Sequence, residues 1–323
     1  MAEVASKAAS EALIPQFQLS RVLNQDQAGR RVILYGAIAD KAAIMILERS
    51  PFPSTSDALS PLPSGLTNVR NLGHNDIYAW YMASSPLSIS APDVKVNLIY
   101  PCTEAHVKKY SQQGVRMVTE TPDIFTTKVR PYMQRKREEG RLNWVFNIIE
   151  GRTEQEDVCF RSEGNTAQVA EGNEGFLMLP DLNWDRKTLS SLHLLGLVER
   201  RDIWSLRDLK KHHVLWLKHM REKLLEATVE LYPELEKNQL KLYMHYQPTY
   251  YHFHIHIVNV MLEAGATQAT GKAFGLENLI SQLETLQGGD GAGVADFDLT
   301  YTLGEESELW TEIFQPLQAH REN

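Results

Sequence analysis

Hydrophobic and polar residues alternate along several short segments in the first hundred residues of the chain. In VKVNLIYPC, Val94, Val96 and Leu98 alternate with polar residues, which is typical of a half-buried antiparallel strand. The segments RRVILYGAIA, AAIMILERSPF and NDIYAWYMASS have the same strand character, and a loop rich in proline and serine covers 51–66. Thr103 is placed to cap a helix through AHVKKYSQQ. This part of the chain predicts a small α+β domain with a meandering antiparallel sheet.

The second half of the chain mixes strand patterns with longer helical ones. WVFNIIEG, DVCFRSEG, GFLMLPDLNW, KLYMHYQ and DFDLTYTL read as strands, and leucines at 189, 192 and 195 predict a helix over about 186–199. SLRD at 205–208 resembles a capping box. It opens a long helix in which apolar residues step by three and four. Two further helices, one through Leu276–Leu286 and one at the C-terminus, complete a predicted α+β domain with an antiparallel sheet and packed helices.

The patterns divide the chain into four parts. Residues 1–15 are small and polar and predict a disordered tail, 16–113 form the N-terminal domain, 114–141 are a polar hinge and linker, and 142–323 form the C-terminal domain. The basic run KVRPYMQRKRE at 128–138 is interpreted as a solvated helix or hinge in preference to a nucleic-acid patch.

Composition narrows the class of protein. With 43% apolar residues in 323 the chain can bury a sizeable core, and its net charge of −8 argues against coating long nucleic acid. A short nucleotide held in a pocket remains compatible with that charge. Cys102 and Cys159 form no CxxC motif, which favours a reducing compartment over a disulfide scaffold. Without an apolar run of about 18 residues, we expect a soluble cytoplasmic protein that is also present in the nucleus.

Residues 245–260, HYQPTYYHFHIHIVNV, hold four of the eleven histidines. His252, His254 and His256 follow each other at two-residue spacing among aromatic and β-branched residues, which favour a strand. Because side chains on a strand alternate between its faces, the three imidazoles should share one face at intervals of roughly 6.5–7 Å. A core does not need such a row, so it predicts a functional site.

Three interpretations of the row are open from the residues alone. Histidines at i and i+2 of a strand can chelate a metal, but no nearby carboxylate has an obvious spacing for a further ligand. Surface histidines without a role fit poorly in so apolar a strand. The third interpretation is a histidine nucleophile beside histidines that hold phosphate oxygens, because a neutral imidazole is a good nucleophile near pH 7. Phosphoryl and nucleotidyl transfer mainly require alignment and charge stabilisation.

The segment His252–Val258 resembles the signature of the histidine-triad (HIT) family, in which three histidines alternate with apolar residues. Further motifs resemble the scavenger mRNA decapping enzymes of that family: NDIY (75–78), YPCTEAHVKKY (100–110), WVFNIIEG (144–151), GFLMLPDLNW (175–184), SLRDL (205–209) and HYQPTYYHFHIH (245–256). They include an N-terminal domain that simple triad hydrolases lack. The resemblance implies a C-terminal histidine-triad catalytic domain and a domain-swapped homodimer whose N-terminal domains close over the sites.

The resemblance also implies a role for each matching residue. His254 would be the nucleophile, flanked by His252 and His256 as phosphate binders, with His245 in support. The cap base and ribose would be bound by Trp144, Glu154, Pro180, Asp181, Leu182, Asn75 and Tyr78. The phosphates would be bound by Lys109, Asn183, Thr249, Tyr250 and Lys272. Without the resemblance, Trp144 would be interpreted as a core residue and the two acidic residues as ordinary turn residues.

The implied activity is scavenger decapping. The enzyme would cleave the triphosphate bridge of 7-methylguanosine cap dinucleotides and short capped RNA remnants, releasing 7-methyl-GMP and a nucleoside diphosphate end through a covalent His254 intermediate. No cofactor, metal, membrane or long nucleic acid is expected. The ligand's chemistry agrees, since methylated guanine is cationic and suits an indole face, and its N–H donors suit a carboxylate. The alternatives are a general histidine-triad dinucleotide hydrolase and a weakened cap-binding regulatory homologue.

Position 183 departs from the pattern of these enzymes. This chain has PDLNW, where the family usually has PDLKW, so Asn183 stands in place of a lysine. An amide can donate a hydrogen bond to a phosphate but adds no positive charge. This difference is the only feature that favours the regulatory alternative, and the intact triad argues against it.

Overall fold

The computed structural model of the chain describes residues 11–26, 30–49, 52, 56–85, 94–140, 142–162, 174–181 and 184–321. The chain forms two compact units, Met1–Gln113 and Gly114–Asn323. Every strand pair among the described residues is antiparallel. The prediction of an α+β protein built on antiparallel sheets is therefore confirmed. No helix within these ranges is long and apolar enough to cross a membrane.

The first unit contains a four-stranded sheet and a separate hairpin. The sheet has the order β1-β2-β3-β6, and the hairpin joins β4 to β5. Leu23, Ile33, Ile44 and Ile46 form the buried core of the sheet. The strands are β1 (Gln18–Gln25), β2 (Arg31–Ile38), β3 (Lys41–Arg49), β4 (Thr67–Asn75), β5 (Tyr78–Ser84) and β6 (Val94–Ile99). Strands β2, β3, β5 and β6 match the predicted strand segments, whereas β1 and β4 were not predicted.

Three short helices accompany the sheet. Helices α1 (Ser56–Leu59) and α2 (Leu62–Gly65) are single turns within the predicted proline-rich loop. Helix α3 (Glu104–Tyr110) begins after Thr103, whose hydroxyl and backbone form a capping box with His106. The predicted cap is confirmed, although a histidine takes the place that glutamate usually has in this motif.

The second unit is built on a six-stranded sheet with the order β13-β11-β12-β10-β9-β8, beside a two-stranded sheet of β14 and β7. Its strands are β7 (Val115–Glu120), β8 (Phe160–Arg161), β9 (Phe176–Pro180), β10 (His193–Val198), β11 (Leu240–His245), β12 (His254–Asn259), β13 (Ala273–Gly275) and β14 (Leu299–Gly304). Its helices are α4 (Pro122–Ile124), α5 (Arg130–Glu138), α6 (Asn143–Ile149), α7 (Val214–Leu231), α8 (Leu276–Thr285) and α9 (Gln315–Arg321), with π turns at Phe125–Val129 and Trp310–Phe314.

The large sheet is covered on both faces. On one face Ile255 and Ile257 of β12 join the main core, which includes the buried sides of α7 and α8. On the other face a smaller cluster joins Leu177 and Leu197 to Val145 of α6. Helix α7 lies very close to the sheet at Gly196, where an added Cβ would stand 2.8 Å from a Leu224 methyl carbon. One face of the triad strand β12 thus packs against the main core, and the alternating positions on its other face include His254 and His256.

Three predicted elements are wrong. The capping box at Ser205 caps a 3₁₀ turn, Leu206–Asp208, and does not open the long helix α7, which begins at Val214. The helix expected over 186–199 is a single 3₁₀ turn, Leu189–Ser191, followed by strand β10. WVFNIIEG, expected as a strand, is helix α6. A strand buried on both faces has no polar alternation, and short apolar runs of this length do not separate helix from strand.

The segment 114–140 belongs to the second unit. Strand β7 pairs with β14 along its whole length, and Phe125, Val129 and Met133 lie in the main core. The basic run forms helix α5, in which Lys136 makes ion pairs with Glu308 at 2.7 Å and Glu139 at 3.3 Å. Part of its positive charge is therefore paired within the protein, and α5 packs into the core instead of forming the solvated helix or hinge predicted from the sequence.

Candidate active site

The central histidine of the triad, His254, begins strand β12 and is buried. Its Nδ1 lies 2.7 Å from the backbone carbonyl oxygen of His252. Burial lowers the pKa of His254 to about 4, so the ring is neutral near pH 7. A carbonyl oxygen only accepts hydrogen bonds, so Nδ1 carries the single proton and Nε2 keeps its lone pair. The backbone therefore fixes the tautomer that a histidine nucleophile requires.

The two flanking histidines differ in their surroundings. His252 lies before β12, and its Nε2 donates to the carbonyl oxygen of Val198 at 2.7 Å. His256 is two residues along β12 from His254, and the two ring centroids are 5.4 Å apart. Burial lowers the pKa of His252 to about 4 and also lowers that of His256. The donor of neutral His252 is therefore occupied by Val198, whereas Nε2 of His256 has no partner among the described residues.

A tyrosine ring stacks on each of the two histidines in the strand. The ring centroid of Tyr250 lies 4.4 Å from that of His254, and the ring centroid of Tyr243 lies 5.0 Å from that of His256. The hydroxyls of both tyrosines and Nε2 of His256 are buried without a hydrogen-bond partner among the described residues. Unpaired buried polar atoms are costly. Their grouping around the triad identifies a place where oxygens of an anionic ligand would complete the missing bonds.

Trp144 places an indole beside this group. It lies in the first turn of α6 and is 45% exposed. Its ring centroid is 4.9 Å from that of Tyr250, with the planes at 79°. The indole is thus partly open to solvent, and Tyr250 lies between it and His254. A flat base stacked on Trp144 would therefore lie close to the nucleophile.

His245 and Lys272 lie at the opposite end of the triad. The ring centroid of His245 is 4.2 Å from that of His256, and its Nε2 lies 2.8 Å from the carbonyl oxygen of Thr267. Lys272 donates from Nζ to the carbonyl oxygen of Gln247 at 2.7 Å. Burial lowers the pKa of His245 to about 4 and also lowers that of Lys272. Lys272 thus brings a partly desolvated cation into the loop that precedes the triad.

A buried hydrogen-bond network holds that loop, residues 246–251. The carboxylate of Glu120 pairs with Arg207 at 2.7 Å and accepts from the hydroxyls of Tyr246, at 2.7 Å, and Tyr301, at 2.5 Å. Gln247 donates to the Tyr301 hydroxyl at 3.2 Å. Glu120 and Arg207 have no exposed side-chain surface, so the network replaces the water that both charges lose. It fixes the backbone from which Thr249 and Tyr250 extend.

Asp181, at the end of β9, forms a compact group with two histidines. One carboxylate oxygen lies 3.7 Å from Nε2 of His193, and that nitrogen lies 2.9 Å from Nδ1 of His256. The three ligand atoms lie within 4.8 Å of one another, a spacing that could hold a metal ion. The 2.9 Å contact is a good imidazole–imidazole hydrogen bond, and this bond accounts for the group without an ion.

The remaining predicted residues of the second unit lie in strand β9 and in two loops, or fall outside the described residues. Pro180 ends β9 and pairs with Leu194 of β10, while Thr249 is exposed in the anchored loop. Glu154 is exposed in the turn after α6, with φ at 54°. That left-handed conformation is uncommon for glutamate and often marks functional positions. Leu182 and Asn183 lie outside the described residues.

Three predicted residues belong to the first unit. Asn75 ends β4 and is paired with Tyr78, the first residue of β5. Tyr78 is 64% exposed. Lys109 lies in helix α3. All three are thus carried by the hairpin and the helix of this unit.

Sequence reasoning missed two residues of the site. The sequence predicts a helix at His193, so it does not place this residue opposite β12. A strand at this position would place His193 on the face of the sheet that carries the triad. Arg137 lay in a run interpreted as solvated, but it donates to the carbonyl oxygen of Tyr251 and lies over the Trp204 ring at 4.3 Å. Burial lowers its pKa to about 10. The apolar partners of α5 give the signal that could have found Arg137.

Comparisons with known proteins agree with this geometry. Two family models match the chain: "Scavenger mRNA decapping enzyme (DcpS) N-terminal" over residues 12–113, and "Scavenger mRNA decapping enzyme C-term binding" over residues 143–271. The m7GpppX diphosphatase of Schizosaccharomyces pombe is 34% identical over 97% of both chains. That of Ascaris suum is 33% identical over 91% of this chain and 92% of its own. The human enzyme is 30% identical over 81% of this chain and 77% of its own. The chain belongs to the scavenger mRNA decapping enzyme family.

Proposed function

We propose that this protein is a scavenger decapping hydrolase, which cleaves the triphosphate bridge of 7-methylguanosine cap dinucleotides and short capped RNA remnants. The observation that carries the proposal is the line of three rings from Trp144 through Tyr250 to His254. It joins an exposed indole to a neutral histidine of fixed tautomer. The relatives are named for the same activity, m7GpppX diphosphatase.

In the proposed reaction His254 is the nucleophile. Its Nε2 lone pair attacks the phosphorus next to 7-methylguanosine, and the bond from that phosphorus to the bridging oxygen breaks. The nucleoside diphosphate end leaves with the bonding electrons. Water then attacks the same phosphorus, the P–N bond breaks, and 7-methyl-GMP is released. Splitting one displacement into two is the usual gain from covalent catalysis.

The atoms around His254 support both steps. Nε2 of His256 and the hydroxyl of Tyr250 have no partner among the described residues and can contact the phosphate oxygens, and Lys272 adds a cation near them. Preorganised donors of this kind stabilise the charge that develops in the transition state. Every group in this account is a side chain of the protein, so the two steps can be written without a metal ion or cofactor.

Recognition of the cap rests on Trp144 and Glu154. N7-methylation makes guanine cationic, and a cation is attracted to the face of an indole. The carboxylate of Glu154 can accept from N1–H and the exocyclic amine of the base. Both residues belong to one local element, helix α6 and the turn after it. This element thus carries both the stacking surface and the hydrogen-bond acceptor.

We also propose that the protein acts as a homodimer in which the first units exchange and close over the sites. Strand β5 is exposed along its whole length, and this surface includes the apolar residues Tyr78, Trp80 and Met82. Exposed apolar patches of this kind usually bind a partner. Light scattering on the purified protein should give twice the chain mass, and Trp80→Glu should shift it towards one chain. A fully active monomer would refute the dimer.

The deciding experiment for function compares m7GpppG with GpppG as substrates. We expect release of 7-methyl-GMP and GDP from the first and much slower release from the second, because only the methylated base is cationic. Equal rates would favour a general dinucleotide hydrolase of the histidine-triad family. Tight binding of m7GpppG without turnover would favour a regulatory cap-binding protein. The His254→Asn variant, which keeps the base contacts, is the matched negative control.

We place this activity in the cytoplasm and also in the nucleus. Both cysteines are free thiols, which suits a reducing compartment. Fractionation of cells that express the protein tests this placement, and recovery in a secreted or membrane fraction would contradict it.

A further inference from the structure

A second histidine outside the triad contacts the triad directly. His193 begins β10, and its Nε2 lies 2.9 Å from Nδ1 of His256 on the neighbouring strand. Leu195 is the register partner of His256, so His193 is its diagonal neighbour on the same face of the sheet. Such diagonal pairs are within reach of large side chains. Both imidazoles are buried, and burial lowers the pKa of each.

Two neutral imidazoles can share one proton between these nitrogens in either of two ways. If His193 donates, its proton sits on Nε2 and His256 carries its own proton on the other nitrogen, Nε2. If His256 donates, its proton sits on Nδ1 and its Nε2 holds only a lone pair. The two arrangements therefore give His256 opposite properties at the atom that has no partner among the described residues.

The carboxylate of Asp181 decides between them. One of its oxygens lies 3.7 Å from Nε2 of His193, and a negative charge at that distance favours a proton on this nitrogen. In the reverse arrangement two lone pairs would face anionic oxygens, one at Asp181 and one at the substrate phosphate. The first arrangement avoids both repulsions, because His256 then presents an N–H to the phosphate.

We propose that His193 is a positioning residue for the decapping reaction: by donating to Nδ1 of His256 it holds His256 in the Nε2–H tautomer, as the donor to the reacting phosphate. The inference rests on the proposed function, in which His256 faces the bridge. The pairing of strands β10 and β12 then positions a group of the site in addition to packing the sheet. The backbone sets the tautomer of the nucleophile His254, and a side chain sets that of His256.

The test uses two substitutions at position 193 in the full-length enzyme. His193→Leu suits the apolar strand but cannot donate, whereas His193→Gln has an amide N–H of similar reach that can. Loss of the partner that orients a metal-bound histidine typically costs about 10- to 100-fold in activity, and the same scale is taken for this pair. We expect a loss of this size in kcat for m7GpppG in the Leu variant, with little change in KM because the base contacts remain. The Gln variant should recover most of kcat.

Long-range ¹H–¹⁵N spectra of the histidine-labelled enzyme give an independent readout, with His256→Gln used to assign the signal. The wild-type spectrum should show His256 protonated on Nε2, and the Leu variant should show a mixture of tautomers. Protonation of wild-type His256 on Nδ1 would overturn the proposal, even if the Leu variant did not fold.

Kinetic outcomes separate this inference from the function on which it rests. An inactive wild-type enzyme would refute the proposed function. An active wild type with an equally active Leu variant would refute the role of His193 alone. Equal losses in the Leu and Gln variants would also refute it, because they would show that the position needs an imidazole for packing and not a donor.

Discussion

Replacing Trp144 with alanine gives a direct measure of how the protein recognises a methylated cap. Stacking of a base on an aromatic side chain contributes about 1–3 kcal/mol, which corresponds to a factor of about 5 to 150 in Kd. Only the exposed 45% of Trp144 is open to a ligand. The upper end of the range therefore needs the cation–π contribution of the methylated ring in addition to stacking.

Calorimetric titration is the assay, with His254→Asn as the background so that the ligand is not hydrolysed. Trp144→Ala should weaken the binding of m7GpppG by the full factor and that of GpppG by a smaller one, because the unmethylated base lacks the positive charge. Trp144→Phe keeps a ring against Tyr250, and it should fall between the wild type and the alanine variant for m7GpppG. It controls for any shift of Tyr250 when the edge contact at 4.9 Å is lost.

Equal losses for the two ligands would refute the reasoning. They would mean that the indole acts only as packing for Tyr250. A Phe variant as weak as the Ala variant, with an unchanged Tyr250 contact, would likewise argue against stacking on this face.

Four further perturbations test other parts of the account. Tyr301→Phe removes a hydroxyl that donates to buried Glu120, and urea denaturation should show a loss of about 1.5–3 kcal/mol in the free energy of unfolding; an unchanged midpoint would contradict the network. Burial lowers the pKa of His254 to about 4, below the unfolded value of about 6.5. The contribution of its neutral ring to the free energy of unfolding is therefore complete above pH 6.5 and declines as the pH falls towards 4. His254→Asn should therefore lose about 2 kcal/mol less stability than wild type between pH 6.5 and 5, and parallel curves would count against a neutral buried ring. EDTA should leave turnover unchanged, whereas loss with EDTA and recovery with zinc would indicate a metal site. Asn183→Lys should strengthen cap binding by about 1–2 kcal/mol, less so at high salt, and no change would mean that the other lysines suffice.

Much of the fold was readable from local patterns, and the failures have a common cause. Strand character placed β2, β3, β5 and β6 correctly, and in β6 apolar residues alternate with polar ones along the sequence. Strand β10 was missed because it is buried between two layers and has no polar face. The leucines at 189, 192 and 195 then matched a helical spacing by coincidence.

Residues of the site could be predicted together where they lie within one segment of the sequence. His254 and His256 could be placed together because they are two positions apart on one strand, and Tyr250 belongs to the same segment. His252 was expected in the same row, but the chain bends before β12 and turns its donor to Val198. His193 lies some sixty residues from His256 in sequence, and only the pairing of β10 with β12 brings them together.

The exposure of the Trp144 ring could also not be predicted from the sequence. WVFN reads as a buried strand, in which an indole would be core. Once the segment is a helix, Val145, Ile148 and Ile149 form its buried side, and Trp144 is turned to the edge beside Tyr250. One change of secondary structure thus converts a core residue into a binding surface.

The central claim is that His254 carries the 7-methylguanosine monophosphate group between two chemical steps. The most direct test of this claim is to denature the enzyme rapidly, without acid, during a single turnover of m7GpppG. Its peptides are then analysed by mass spectrometry. The account predicts a 7-methyl-GMP adduct on the peptide that contains His254, formed before free 7-methyl-GMP appears and absent from His254→Asn. Turnover without any such adduct at times when substrate is being consumed, or an adduct on another residue, would contradict it.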